Sequence, residues 1–160
     1  MKTGIIIIFR NNESLIKVEN MAKHMQSTEI EKFCLVDNYS SDNTLQLLHE
    51  IKEECVDKVE IVEIKKMVSE SMAKRAGARY LSSNYNLKYV GFINLDSVQN
   101  RGENLESILE QIAQNDNYIT DLKTLIDKNN TKQNFIKGVF SIVDSIKEIN
   151  KKYKSLKPSI

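Results

Sequence analysis

The amino-acid sequence predicts an α/β fold built around a mainly parallel sheet. Short runs of consecutive apolar residues, rich in Ile and Val, recur along the first 95 residues, and such runs are typical of strands buried on both faces. Each of the first three runs is followed by a segment with apolar residues at helical spacing. Strands and helices that alternate in this way form parallel sheets with right-handed crossovers.

The first strand and helix occupy residues 5–25. Residues 5–9 form a continuous apolar strand, and residues 11–14 supply polar turn and capping groups. Over residues 15–25, apolar side chains recur three and four positions apart, which predicts a helix with one buried stripe. The members of that stripe are Leu15, Val18, Ala22 and Met25.

Two more helices and three more strands follow in the same order. Strands are predicted over residues 33–36, 59–64 and 89–95 because each is a short apolar run bounded by polar residues. Helices are predicted over residues 44–55 and 69–81 because their apolar residues share one helical face. Those residues are Leu45, Leu48, Ile51 and Cys55 in the first helix, and Met72, Ala76 and Tyr80 in the second.

After Asp96 the strand signals stop and three helical patterns follow. They consist of Leu105, Ile108, Leu109 and Ile112; of Ile119, Leu122, Leu125 and Ile126; and of Phe135, Val139, Ile142, Ile146, Ile149 and Tyr153. The last pattern is a heptad stripe, so this helix either packs on its own domain or pairs with a second copy in a homo-oligomer. We therefore predict a domain over residues 1–115 and a helical extension over residues 116–160.

Composition narrows the class of protein. A net charge of +1, with acidic and basic residues interspersed, argues against nucleic acid as the partner. Cys34 and Cys55 lack metal-ligand spacing and are interpreted as buried apolar groups in a reducing compartment. The five apolar residues before Arg10 are too few for a signal peptide or a transmembrane segment, so we expect a cytoplasmic protein.

Polar residues follow the first, second and fourth predicted strands. They are Arg10, Asn11, Asn12 and Glu13; then Asp37, Asn38, Tyr39, Ser40, Ser41, Asp42, Asn43 and Thr44; then Asn94, Asp96 and Ser97. Ligands of open parallel sheets bind beyond the carboxyl ends of the strands, so these clusters predict a site. A carboxylate there can accept a hydrogen bond from a nucleobase imide, and a second can hold a divalent cation; Asp37 and Asp96 are the candidates. Alternatively, Ser40, Ser41 and Asp42 only cap the following helix.

The segment L-V-D-N-Y-S-S-D-N-T, residues 35–44, resembles the V-D-N-x-S-x-D-x-T motif of family-2 glycosyltransferases. The resemblance extends over residues 4–112. It implies the GT-A fold, which is Rossmann-like with three α/β/α layers. It also implies that Asp37 accepts a hydrogen bond from a uracil or thymine ring, with Asn38 beside it and Ser40 and Asp42 in the same loop.

Two shorter segments are similar to further motifs of this family. Residues 8–13 stand where the family has I-P-T-Y-N-E; they keep Asn12 and Glu13, whereas Phe9, Arg10 and Asn11 replace proline, threonine and tyrosine. The resemblance implies that Arg10, Asn12 and Glu13 contribute to donor binding. Residues 72–77 resemble the A-R-N-x-G helix start, which places Lys74 where a basic residue approaches the diphosphate.

Residues 90–97 look like the apolar strand that leads into the family's metal-binding D-x-D motif. Asn94 replaces the first aspartate, and Asp96 occupies the second position, which implies a weakened site for Mn²⁺ or Mg²⁺. No E-D pair follows to supply the catalytic base; Asp116 and Asp121 are nearest in sequence to a usable position. The acceptor half of the family's domain is therefore expected to be shortened, replaced or missing.

Two functions are consistent with these residues. The first is transfer of a sugar from a UDP- or dTDP-sugar to an acceptor hydroxyl, in polysaccharide or glycoconjugate synthesis. The second is a non-catalytic, truncated relative that keeps the fold as a binding or oligomerisation module. Neither the sugar nor the acceptor follows from the sequence. Nucleotidyltransferases, dinucleotide-binding proteins and P-loop proteins are excluded because no glycine lies between Gly4 and Gly77.

Overall fold

Five parallel strands form one sheet in the part of the chain that the structure describes, residues 2–100, 102–114, 139–146 and 151 of a computed structural model. The strands are β1 (Thr3–Phe9), β2 (Lys32–Asn38), β3 (Val59–Ile64), β4 (Tyr89–Asn94) and β5 (Val139–Ser141). Their order across the sheet is β3-β2-β1-β4-β5. The predicted α/β class with a mainly parallel sheet is confirmed.

The register of the sheet brings the ends of the first, second and fourth strands together. Phe9, the last residue of β1, pairs with Asp37, and Ile8 pairs with Asn94, the last residue of β4. Because these strands are parallel and in step, the polar residues that follow them emerge at the same edge of the sheet. The prediction that the clusters share one edge is therefore confirmed.

The helices have nearly the predicted bounds: α1 (Val18–Ser27), α2 (Thr44–Glu54), α3 (Glu70–Asn84), α4 (Leu95–Asn100) and α5 (Leu105–Gln114). The prediction was wrong at two boundaries. Residues Glu13–Leu15 form a 3-10 turn, and Ile16 is extended, so the first helix begins at Val18. Leu95, predicted as the end of a strand, begins α4 instead. None of the helices in the described ranges is long and apolar enough to cross a membrane.

The sheet separates two hydrophobic clusters, which gives three layers. On one face, Ile5, Ile7 and Phe9 pack with buried residues of α1, α2, α4 and α5. On the other face, Ile6 and Ile8 pack with buried residues of α3. Every residue of β1 is buried, as expected for a central strand covered by helices on both faces.

A fifth strand replaces part of the predicted C-terminal helix. Val139–Ser141 pair with β4 in parallel, so the prediction of helices alone after Asp96 is wrong at this position. The pairing is possible because Gly91 lacks a side chain: a Cβ there would lie 2.5 Å from Ile142 Cδ1. Residues 142–146 are helical, and Ile142 and Ile146 are buried in this chain's own core. The predicted helical pattern at residues 119–126, together with Phe135, Ile149, Tyr153, Asp116 and Asp121, lies outside the described residues.

The two cysteine thiols are buried, as predicted. Cys34 and Cys55 are 0% and 3% exposed. Burial, with a smaller contribution from the negative charge of Glu60, raises the pKa of Cys34 to about 12. Burial also raises the pKa of Cys55 above its ordinary value. We expect neither thiol to react measurably with a thiol reagent in the native protein at pH 8, and both to react at once in denaturant. Rapid labelling of either cysteine without denaturant would contradict this.

Glu60, on the edge strand β3, makes the stability of the fold sensitive to acid. Its carboxylate accepts hydrogen bonds from Tyr85 Oη at 2.5 Å, Tyr80 Oη at 3.2 Å and Lys52 Nζ at 3.3 Å. Burial raises the pKa of Glu60, but these bonds and the charge of Lys52 outweigh burial, so the pKa lies below its ordinary value of 4.5. The stabilisation is therefore complete above pH 4.5 and is lost as pH falls through the folded-state pKa.

We expect Glu60→Gln to lower the free energy of unfolding at pH 6 by about 2 kcal/mol, the range for hydrogen bonds to a charged group. The difference from wild type should shrink towards pH 3, because the wild-type carboxyl group is then protonated. Urea denaturation at both pH values measures this, with Glu53→Gln as the exposed control. An equal difference at both pH values would refute the assignment to the Glu60 carboxylate.

Candidate functional site

The loops that follow β1 and β2 are joined by hydrogen bonds at the carboxyl edge of the sheet. The backbone N–H of Asn11 donates to Ser40 Oγ at 3.0 Å, and the N–H of Ser41 donates to Asn11 Oδ1 at 2.8 Å. Asn11 has a φ of 51°, in the left-handed region that asparagine tolerates better than most residues. This conformation places its backbone and side chain against the second loop.

A second set of bonds continues the same junction towards α2. Glu13 Oε2 accepts from the N–H of Asn43 at 2.7 Å, and Asp42 Oδ2 accepts from the N–H of Glu13 at 3.3 Å. Asp42 Oδ1 also accepts from the N–H of Thr44, the first residue of α2, at 2.9 Å. Asp42 thus bonds to the first N–H of α2, although the N-cap residue of this helix is Asn43, which makes no side-chain cap bond. Ser41 bonds to Asn11 rather than to the helix.

The Asp42 carboxylate is held in its charged form by these bonds. Burial raises the pKa of Asp42, but the hydrogen bonds from Thr44 and Glu13 outweigh burial, so the pKa lies below its ordinary value of 3.8. A negative charge at the beginning of α2 also interacts favourably with the positive end of the helix dipole. Both effects stabilise the loop that carries Asp37.

Asn12 connects all three predicted clusters. Its side-chain Oδ1 accepts from the N–H of Arg10 at 2.6 Å, and its backbone N–H donates to Thr44 Oγ1 at 2.8 Å. Its side-chain Nδ2 donates to Asp96 Oδ1 at 3.1 Å, across 84 positions of sequence. Asn12 is 3% exposed. Its side chain and its backbone N–H together fix the ends of β1 and β4 and the beginning of α2 relative to one another. The Arg10 side chain is exposed beside it.

Asp37 is buried at the end of β2 with half of its carboxylate unpaired. The whole residue is only 2% exposed. Oδ2 accepts from the N–H of Ser40 at 3.3 Å, whereas Oδ1 is buried and has no hydrogen-bond partner among the described residues. A buried acceptor without a partner is costly, so such an atom points to a donor supplied from elsewhere.

Asn38 has a different role from its neighbour. Its side-chain Nδ2 donates to the carbonyl of Val68 at 2.8 Å, and its Oδ1 accepts from the N–H of Val68 at 3.1 Å. These two bonds hold the connection between β3 and α3 against the end of β2. The asparagine that was predicted to lie beside a nucleobase is thus engaged on both amide atoms by the protein's own backbone.

Asn94 and Asp96 lie at the beginning of α4. Asn94 Oδ1 accepts from the N–H of Asp96 at 3.1 Å, the bond of a helix cap, and this is why the chain turns into a helix at Leu95. The Asp96 residue is exposed, and its Oδ1 accepts from Asn12. A carboxylate that is anchored on one oxygen and open to solvent is suited to cation binding.

Within the described ranges, no group of three His, Cys, Asp or Glu residues is arranged to hold a metal ion. A metal ion that is shared with a bound phosphate needs fewer protein ligands than such a group. Mg²⁺ in phosphate-transfer sites is often held by one or two carboxylates, with phosphate oxygens and waters completing the shell. Asp96 provides one such carboxylate.

Lys74 lies on α3, on the opposite face of the sheet from α4. Its Nζ is 4.5 Å from the centre of the Phe92 ring, a cation–π contact. Phe92 precedes Asn94 by two positions on β4, so both side chains leave the strand on the same face. This contact holds the Lys74 ammonium group near the end of β4.

Tyr39 belongs to the second predicted cluster, between Asn38 and Ser40, but the sequence analysis gave it no role of its own. Its φ is 58°, a left-handed conformation that costs a tyrosine roughly 1–2 kcal/mol, and it is 55% exposed. Strained residues of this kind concentrate at functional sites. The signal in the sequence is an aromatic residue within a stretch of otherwise polar turn residues.

Comparison with known proteins gives a family and several distant structures. A family model described as Glycosyl transferase family 2 matches residues 5–158. No curated protein matches the chain. Among solved structures, the mannosyltransferase PcManGT from Pyrobaculum calidifontis, in complex with GDP-Man and Mn²⁺, is 18% identical with a TM-score of 0.43. That match covers 49% of this chain and 24% of the mannosyltransferase.

A second similar structure is that of S. aureus TarS 1-349. It is 16% identical with a TM-score of 0.47, and the match covers 69% of this chain and 33% of that one. The same protein in complex with UDP-GlcNAc is also 16% identical, with a TM-score of 0.43, over 69% of this chain and 32% of that one. The present chain thus spans a third or less of the length of these structures.

Proposed function

The chain belongs to glycosyl transferase family 2, and on that premise we propose that it binds a UDP- or dTDP-sugar at the carboxyl edge of its sheet and transfers the sugar to an acceptor hydroxyl. One observation carries the proposal. The Asn12 side chain joins the end of β1 to Asp96, at the same edge where a buried carboxylate oxygen of Asp37 has no partner within the described ranges.

The nucleobase is assigned to Asp37. Uracil and thymine carry an imide N–H, and Asp37 Oδ1 is an acceptor that has no partner among the described residues. A hydrogen bond from the base would therefore remove an unfavourable feature of the free protein. The exposed Tyr39 ring follows two positions later and offers an aromatic surface for a base to stack on.

The diphosphate is assigned to the region between Asp96 and Lys74. Asp96 would hold Mn²⁺ or Mg²⁺, and Asn94 would contribute at most a neutral oxygen where the family usually has a second carboxylate. The cation supplies neutralising charge for the diphosphate that leaves. Lys74 contributes a further positive charge from the other face of the sheet, and the exposed Arg10 lies beside Asn12.

In the proposed reaction, an acceptor oxygen forms a bond to the anomeric carbon as the bond from that carbon to the diphosphate breaks. The acceptor proton passes to a base, and the diphosphate carries away the electron pair. Synthesis of a polysaccharide or glycoconjugate in the cytoplasm is the setting that we propose for this reaction.

A thermal unfolding series tests donor binding. We expect UDP or dTDP to raise the melting temperature more than GDP does, and Mn²⁺ to increase the shift, because a ligand that binds only the folded state stabilises it. The full chain is used throughout, with uridine as the ligand that lacks phosphate. Equal melting temperatures with and without every nucleotide would end the proposal.

A second experiment separates an enzyme from a binding module. With Mn²⁺ and UDP-sugars, an active enzyme releases UDP, and Asp96→Ala should lower that release at least tenfold. The substitution also removes the acceptor of the buried Asn12 Nδ2, so the melting temperature without ligand should fall by a few degrees. UDP release is therefore compared at a temperature at which both proteins are fully folded. Binding without any UDP release, unchanged by Asp96→Ala, would instead establish the non-catalytic module.

A further inference from the structure

An exposed surface beside α3 combines apolar and basic side chains. We call it the α3 patch, and it consists of Ile64, Lys65, Lys66, Met67, Val68, Met72, Arg75, Ala76 and Arg79. Six of these residues line an open cavity of about 300 Å³, namely Ile64, Val68, Met72, Arg75, Ala76 and Arg79. The patch lies between the edge strand β3 and the side of α3 and contains no residue assigned to donor binding.

The apolar part of the patch is unusually exposed. Met67 and Met72 are 54% and 56% exposed, and they are two of the four large hydrophobic residues with high exposure in the described part of the chain. Residues 72, 75, 76 and 79 follow helical i, i+3, i+4, i+7 spacing, so α3 presents them as a stripe distinct from the buried stripe that contains Ala73, Gly77 and Leu81. A cluster of exposed apolar side chains rimmed by polar ones is typical of an interaction surface.

The basic part of the patch stands out against a nearly neutral chain. The nine residues of the patch include four basic side chains and no acidic side chain, a net charge of +4, whereas the whole chain has a net charge of +1. Lys65, Lys66, Arg75 and Arg79 are all exposed, and none of the four forms an ion pair with another described residue. Their charge is therefore available to an anionic partner.

We propose that the α3 patch docks the protein on the surface of an anionic phospholipid membrane. The methionine side chains are flexible and apolar, and would enter the boundary between headgroups and acyl chains. Lysine and arginine side chains would lie among the headgroups with their charges towards lipid phosphates. Each basic side chain near an anionic membrane strengthens binding by a factor of about five, so four of them together strengthen it roughly 600-fold, in addition to the contribution of the methionines. Nucleic acid is disfavoured as a partner because its charged phosphates provide no apolar surface for the two exposed methionine side chains.

Vesicle sedimentation with the full chain tests this proposal. We expect binding to phosphatidylcholine vesicles that contain phosphatidylglycerol, and at least tenfold weaker binding to phosphatidylcholine alone. Binding should also fall steeply towards an ionic strength of about 1 M, where charges are screened beyond ~3 Å. Arg75→Gln/Arg79→Gln should weaken binding roughly 25-fold, and Met67→Ser/Met72→Ser should weaken it although all charges remain.

The matched control is Lys17→Gln/Lys23→Gln, which also removes two exposed positive charges but lies at the α1 side of the sheet. It should keep its membrane affinity within about twofold, and all three double variants should keep the wild-type melting temperature and UDP affinity, since these are exposed positions. The proposal is overturned if anionic vesicles do not bind the chain, if the control loses as much affinity as the arginine variant, or if an oligonucleotide displaces the vesicles completely. UDP binding without membrane binding would end this proposal and leave the proposed function intact.

Discussion

Replacing Asp37 with asparagine is expected to weaken binding of UDP and dTDP about a hundredfold without lowering the stability of the free protein. The wild-type carboxylate can accept on both oxygens: Oδ2 accepts from the N–H of Ser40, and Oδ1 is left for the imide N–H of the base. An asparagine side chain has one acceptor and one donor group. In either orientation its NH₂ group faces an N–H, so one hydrogen bond is lost and a donor is left buried. Losing a hydrogen bond to a charged group in this way costs about 2–3 kcal/mol, which is roughly a hundredfold in affinity.

If the free Asp37→Asn protein is as stable as wild type, its loss of UDP affinity cannot be attributed to unfolding. The substitution removes a buried carboxylate whose Oδ1 has no partner in the described part of the chain, so the melting temperature without nucleotide should stay equal or rise. Calorimetric titration with UDP measures the affinity, and Asp57→Asn, at an exposed position far along the chain, serves as the control. Wild-type UDP affinity in Asp37→Asn would show that Asp37 does not contact the base.

Replacing Gly77 with valine is expected to lower the free energy of unfolding by about 3 kcal/mol or more, a large part of the 5–15 kcal/mol that holds a typical domain together. A Cβ at this position would lie 2.8 Å from Ile6 Cγ2 and 3.1 Å from Val36 Cγ2, which belong to the central strands β1 and β2. Both neighbours are fully buried branched side chains, so they have no room to move aside. Helix α3 approaches the sheet this closely only because residue 77 has no side chain.

The matched control for this substitution is Ala76→Val, one position earlier on the same helix and partly exposed. Ala76→Val costs up to about 0.7 kcal/mol in helix propensity and lacks the contact with β1, whereas Gly77→Val gains a few tenths of a kcal/mol in propensity, so any larger loss in Gly77→Val comes from packing. Urea denaturation of both variants separates packing from propensity. A loss below 1 kcal/mol in Gly77→Val would contradict the close packing of α3 on the sheet.

The sequence predicted most of the fold because the signals for these elements are local. Continuous apolar runs identified β1 to β4, and the helical spacing of apolar residues identified α1, α2 and α5. Helix α3 lies where it was predicted, but the predicted apolar face was wrong, since the helix buries Ala73, Gly77 and Leu81 and leaves Met72 exposed. The prediction from sequence failed at β5, because Val139, Ile142 and Ile146 have the spacing of a helical stripe although Val139 belongs to a strand. Three residues of strand are stabilised there by pairing with β4 and by the space that Gly91 leaves, and neither factor is visible within the segment itself.

In the candidate site too, the sequence determined some features and only the tertiary structure decided the others. The sequence by itself determined that Asp37, Asn94 and Asp96 lie at one edge of the sheet, because parallel strands in step must end together. Only the tertiary structure decided what each side chain does there: Asn12 bonds to Asp96, Asn38 bonds to the backbone of Val68, and one oxygen of Asp37 has no partner among the residues that the structure describes. The physical reason is the separation in sequence between the residues that interact. Strand and helix formation depend on neighbours a few positions apart, whereas hydrogen bonds between side chains depend on packing that brings residues 30 to 84 positions apart into contact.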